Sequence, residues 1–105
     1  MSEPQRGEVW WVDLGLAGKV RPAVVMSAPI ADDDFALLAT IPHTTSAHPS
    51  RYAVRIQPPG MKDGFFNVQA LAPAPRAKFM HRLAVLTSGQ MAELDAAVKR
   101  WLCLD

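Results

Sequence analysis

The apolar positions along the chain fall into two regimes. Up to residue 86 they come in short runs, rich in Val, Ile and aromatic residues and separated by clusters of Gly, Pro, Asp and Ser; from residue 91 they recur at helical spacing. EVWWVDL, residues 8–14, reads as a strand closed by the glycines at 15 and 18, and RPAVVMS, residues 21–27, as a second whose continuous apolar run implies burial on both faces or along a barrel wall. Pro22 at its start forfeits no interior ladder bond. A turn of three aspartates, 32–34, leads into FALLATIP, residues 35–42. After the loop HTTSAHPS, the segment RYAVRIQ, residues 51–57, alternates: Tyr52, Val54 and Ile56 share one face, Arg51, Ala53 and Arg55 the other. GFFNVQAL, residues 64–71, predicts a further strand. Pro73 and Pro75 make pairing edge-like or broken before KFMHRLAVL, residues 78–86, resumes.

The C-terminal segment differs in kind. Thr87 and Gln90 have capping-box spacing, and Leu86 is placed to staple against Met91. Met91, Leu94, Val98, Trp101 and Leu102 then form one face of an amphipathic helix that must pack on the sheet. Five or more short strands and one terminal helix, with no alternating βαβ pattern, predict an α+β, mainly β, single domain over residues 1–105, built as a small curled antiparallel sheet or barrel.

Composition narrows the function classes. A chain of 105 residues, half of them apolar, forms one modest core, which excludes a large multi-step enzyme. No apolar run spans a bilayer, and the N-terminus lacks the basic start and apolar core of a signal peptide, so the expectation is a cytoplasmic protein without a membrane partner. Cys103, the single cysteine, allows no intramolecular disulfide and is expected to pack as a small hydrophobe. Three histidines, at 43, 48 and 81, have no acidic or histidine neighbours at ligand spacing, so no metal and no cofactor is expected. The aspartate triplet lacks the glycine and distal glutamate of a calcium loop and reads as a solvated turn. The formal net charge of +1 conceals an asymmetry: residues 1–50 carry three Lys/Arg against six Asp/Glu, whereas residues 51–82 carry six against one. Such a basic middle is what a polyanion needs for attraction.

What remains is an arginine at the mouth of a buried strand and the polar loop that follows the next strand. RGEVWWVDL, then KVRPAVVMS, then IPHTTS, in that order and spacing, resembles the MazF/PemK family of type II toxin–antitoxin toxins. The resemblance implies an SH3-like barrel, a homodimer, a cognate antitoxin that covers the active site, and a metal-independent endoribonuclease acting on single-stranded mRNA. It places the family's catalytic arginine on Arg21 and its catalytic threonine on Thr44. Two features differ from the family pattern. Only GLAGKV separates Leu14 from Arg21, and LAPAPRAKF keeps Arg76 but sets prolines before it.

The chemistry is self-consistent. RNA cleaves when its 2′-hydroxyl attacks the adjacent phosphorus, and a guanidinium with a hydroxyl donor can stabilise the added charge. Arginine stays protonated and is a poor general base, so Arg21 is assigned to charge stabilisation. The base is left open between His43, beside Thr44, and another group; His43 alternatively faces a base or water as a loop residue. Lys19 at the site mouth, His43, Thr45, Arg51 and Arg55 are the expected RNA contacts. Trp10 and Trp11 point to opposite faces of one strand, so one belongs to the core. Two other readings stand beside the ribonuclease: a gyrase poison of the CcdB type, to which the trailing Trp101-Leu102 is a partial likeness, and a non-catalytic barrel that serves as an interaction module. On the last, Arg21 would be a rim residue paired with Asp13 or Glu8.

Overall fold

The computed structural model describes residues 3–15, 19–45 and 48–104. Among the described residues, six strands and one α-helix follow in order: β1 (Glu8–Asp13), β2 (Val20–Val25), β3 (Leu37–Thr44), β4 (Phe65–Phe66), β5 (Ala72–Pro75), β6 (Phe79–Val85) and α1 (Ser88–Leu102). All pairings are antiparallel. The sheet runs β4-β3-β2-β1-β6, with β5 pairing β3 beside this path, so β3 serves three partners and the sheet curls around it. This is the mainly β architecture with one terminal helix that the sequence predicts.

Strand parity divides the core in two. Val9 pairs with Val24 and Val24 with Ile41, and all three are fully buried on the face covered by α1. There they join Val54, Phe66, Val68, Leu86, Met91 and Leu94. The intervening rung, Trp10 with Ala23, belongs to a second cluster on the opposite face, with Val12, Val25, Leu38, Ala74 and Phe79. Burial on both faces explains why RPAVVMS reads as an unbroken apolar run. The helix begins with the reciprocal capping box of Thr87 and Gln90 and buries Met91, Leu94 and Ala97, with Val98 and Trp101 packed alongside. Leu102 is 45% exposed, so the apolar face ends at Trp101, one residue before its predicted end. Cys103 is exposed rather than packed: it closes the helix in the left-handed conformation, φ 57°, where its N–H and that of Leu104 bond the last carbonyls. Gly7, at φ 92°, turns the chain so that its N–H reaches Val25 and its carbonyl accepts from Leu86, tying the start of β1 to β2 and the helix entry.

Three strand predictions need correction. RYAVRIQ forms no strand; its one ladder contact is the isolated bridge from Val54 to Phe66. The alternation survives, with Val54 and Ile56 buried and Arg51 and Arg55 exposed, because the segment lies against the core without a continuous partner. GFFNVQAL keeps two strand residues and then tightens into a 3₁₀ turn over Val68–Ala70. β3 runs two residues beyond its predicted end, which makes His43 and Thr44 strand residues. The proline segment does form an edge strand. Arg76 N–H bonds the Ala36 carbonyl, so the even positions donate toward β3 and the absent N–H groups of Pro73 and Pro75 face the other way.

Folding also consumes much of the charge asymmetry. Arg76 pairs with Glu3 at 3.1 Å, Arg82 with Glu8 at 3.0 Å, and Lys78 approaches Asp13 at 3.9 Å. The basic middle of the chain is thus met by acids from its N-terminal stretch.

Candidate active site

The β2–β3 ladder ends with Ala23 paired to Pro42, and Arg21 and Thr44 each lie two residues beyond that pair on their own strands. Both side chains continue the face that carries the second core, at the end of the sheet where that core opens. Both are half-buried and engaged in contacts. A groove of about 610 Å³ opens on this face, walled by Asp13, Arg21, Thr44, His48, Asn67 and Gln69, with the small apolar side chains of β5 along its far side. A second groove, about 390 Å³, lies beyond the same two residues and is lined from the other face by Trp11, Val20, Pro22, Met61 and Lys62. Arg21 and Thr44 line both and so form the ridge between them. A chain laid across both grooves would cross that ridge.

The other expected site residues are dispersed. Thr45 is exposed and lines the second groove. Lys19, Arg51 and Arg55 are exposed and line neither groove. Arg51 stacks on Tyr52 at 4.7 Å, and Arg55 sits 3.4 Å from Asp63. His43 is a strand residue rather than a loop residue, and it lines the second groove with Thr44 and Thr45. It is 4% exposed, its ring lies edge-on to Phe66 at 4.9 Å between centroids, and its Nε2 is 3.2 Å from the Ile56 carbonyl oxygen. Burial holds its pKa below the ordinary histidine value, against the opposing pull of the Ile56 carbonyl and Asp63. A ring so held supports the end of β3. The histidine that shares the larger groove with Arg21 and Thr44 is His48, which carries no local sequence signal.

Two further features hold this end of the sheet in place. Gly64 lies directly under Thr44: a Cβ there would fall well inside van der Waals contact distance of the Thr44 carbonyl oxygen and 2.9 Å from His43 Cε1. Asn67 N–H bonds the Pro42 carbonyl at 2.9 Å, which clamps the segment after β4 onto β3. On β1, the two tryptophans separate as their parity requires. Trp10 is buried, edge-on to Phe79 and beneath the Arg76 guanidinium, and Trp11 lines the second groove. Glu8 is buried beside Trp10 and accepts from Trp10 Nε1 at 3.0 Å, Gln5 N–H at 2.8 Å and Arg82 at 3.0 Å. Burial pushes its carboxyl upward, and these three donors with the Arg82 charge more than offset that, leaving it below the ordinary carboxylate value.

The family model for PemK-like, MazF-like toxins of type II toxin–antitoxin systems matches residues 5–102. The chain belongs to that family. Among solved structures, an endoribonuclease from a mycobacterial species, in complex with its cognate antitoxin, is 22% identical and superposes with a TM-score of 0.81, covering 97% of each chain. The MazF of a MazE–MazF complex from Deinococcus radiodurans is 19% identical with a TM-score of 0.82, and each chain is covered in full. At these identities the likeness establishes the MazF-like fold, which this toxin shares. Among the described residues no helix is long and apolar enough to cross a membrane.

Proposed function

We propose that this toxin is an endoribonuclease that cuts single-stranded mRNA at a short sequence, with no metal or cofactor in the reaction. The RNA 2′-oxygen bonds to the adjacent phosphorus as the bond from phosphorus to the 5′-oxygen breaks. The 2′-proton passes to a base, and the departing 5′-oxygen takes up a proton, leaving a 2′,3′-cyclic phosphate and a 5′-hydroxyl. The observation that carries this reading is that Arg21 and Thr44 each line both of two neighbouring grooves, each groove large enough for nucleotides. A planar guanidinium matches two phosphate oxygens at once, and Thr44 adds a third donor as charge accumulates there. A guanidinium is a poor general base, so proton removal belongs to another group. His48 is the imidazole in the same groove, and we assign it that role.

The proposal extends to partners. The mycobacterial and Deinococcus relatives were solved with an antitoxin, and we assign this toxin a cognate antitoxin that covers the ridge. We assign it also a homodimeric state in the cytoplasm. Met80 and Val85, 53% and 61% exposed on the outermost strand β6, are apolar surface of the kind a second copy covers.

Digestion of RNA in excess chelator, with both new ends mapped, tests the reading. Cleavage at a recurring short sequence, with cyclic phosphate and 5′-hydroxyl ends, is expected. Cleavage abolished by chelator, or fragments carrying 5′-phosphates, would overturn it.

A further inference from the structure

The chain has five carboxamide side chains, Gln5, Gln57, Asn67, Gln69 and Gln90. Three are used within the fold. Gln5 Nε2 donates to the Glu3 carbonyl, Gln57 Nε2 donates to the Met61 carbonyl, and Gln90 completes the capping box of α1. The side-chain amides of Asn67 and Gln69 have no hydrogen-bond partner among the described residues, and both line the larger groove beside the ridge. The remaining polar side chains of that groove are committed. Thr40 Oγ1 donates to the Ala72 carbonyl, Ser50 Oγ accepts from Tyr52 N–H, Asp13 accepts from Gly15 N–H, and Arg21, Thr44 and His48 each have a partner.

Asn67 is half-buried, and its backbone is pinned to Pro42 on β3. Its amide is therefore presented from a fixed point two strand positions from Thr44, and little freedom is lost when it binds. Gln69 projects from the 3₁₀ turn two residues on, exposed at the groove rim. A carboxamide offers a donor and an acceptor side by side. Adenine presents the complementary pair, its exocyclic N6 amine next to a ring nitrogen, and unstacked bases in single-stranded RNA expose those edges. The opposite wall, Ala72 to Pro75 of β5, offers small apolar side chains that leave room for a base and no competing side-chain donors.

We infer that Asn67 and Gln69 read an adenine of the cleaved sequence in the larger groove, and so set which RNA sites are cut. This rests on the ribonuclease reading above and adds to it the residues that carry base choice. Arg21 and Thr44 would act on any phosphate that crosses the ridge; the two amides would decide which one does.

The test is cleavage-site mapping on a randomised RNA pool with wild-type protein, Asn67→Ala, Asn67→Asp and Gln69→Ala. Thermal melting of each variant confirms folding, and Gln69→Ala, at an exposed position, keeps the test valid if an Asn67 variant fails to fold. The wild type is expected to require adenine at one position next to the cut. Each alanine variant is expected to lose that preference about tenfold or more. Asn67→Asp keeps acceptors and loses the donor, and so should move the preference toward cytosine, whose N4 amine donates. Folded variants that cut with the wild-type site preference overturn this inference alone, as does a wild type indifferent to adenine. A wild type that cuts no RNA overturns the ribonuclease reading and this inference with it.

Discussion

Gly64→Ala tests how closely the position of Thr44 depends on β4. The alanine methyl would overlap the Thr44 carbonyl oxygen and press on His43 Cε1 at 2.9 Å. Neither neighbour is the free end of a flexible side chain. One is strand backbone paired to Phe65, the other a buried ring seated on Phe66. To reach ordinary contact, β3 and β4 must separate by something on the order of 1 Å, which strains the short ladder that joins His43 and Thr44 to Phe66 and Phe65. Overpacking of this kind costs ~1–3 kcal/mol. For a domain of this size that lowers Tm by roughly 4–8 °C per kcal/mol. Displacing a group that must meet the reacting phosphate by about 1 Å costs up to ~100-fold in rate. The assay pairs a melting curve with single-turnover cleavage, so that a rate loss measured well below Tm reports misplacement rather than unfolding. Gly64→Ala protein with wild-type Tm and wild-type rate would refute the claim that this contact sets the end of β3.

Arg21→Ala should slow cleavage by ~100-fold or more with Tm unchanged, and Arg21→Lys should recover only part, because an ammonium lacks the guanidinium fork; wild-type turnover by folded Arg21→Ala protein would move the chemistry elsewhere. Stability should fall with acid in two steps. His43 has its folded pKa below 6.5, so the unfolded chain takes up that proton first as the pH drops below this value, and Glu8 repeats the effect below 4.5. Chemical denaturation across that range checks it: His43→Gln and Glu8→Gln should each flatten their own step, and a wild-type stability independent of pH would contradict both. Glu8→Ala strands Trp10 Nε1–H and the Gln5 N–H and should cost ~1–3 kcal/mol at neutral pH; a loss within error of zero would show that water replaces the carboxylate. Light scattering at micromolar concentration should give twice the 11.5 kDa chain mass, and a monomer would count against the homodimer.

What the sequence determined by itself was local. Capping residues fix α1 because Thr87 and Gln90 meet across one turn whatever lies elsewhere. Period-two patterning placed β1 and separated Trp10 from Trp11, and the motifs around Arg21 and Thr44 sufficed to mark the family and the two residues on which the proposed chemistry rests. What only tertiary structure decided was non-local. Strand pairing needs a partner, so RYAVRIQ kept its alternation yet gained a single bridge, and APAP became a strand because the edge of β3 was there to accept it. Extension of β3 by two residues turned His43 from a loop residue into a buried strand residue at the wall of the second groove. Charge pairing followed the same rule: only folding brought Glu3 to Arg76, Glu8 to Arg82 and Asp13 toward Lys78. The groove walls are the clearest case. His48, Asn67 and Gln69 stand far from Arg21 along the chain, with no spacing to connect them, and they meet it only because the fold, with a clamp at Pro42 and a 3₁₀ turn, brings three separate segments to one end of the sheet.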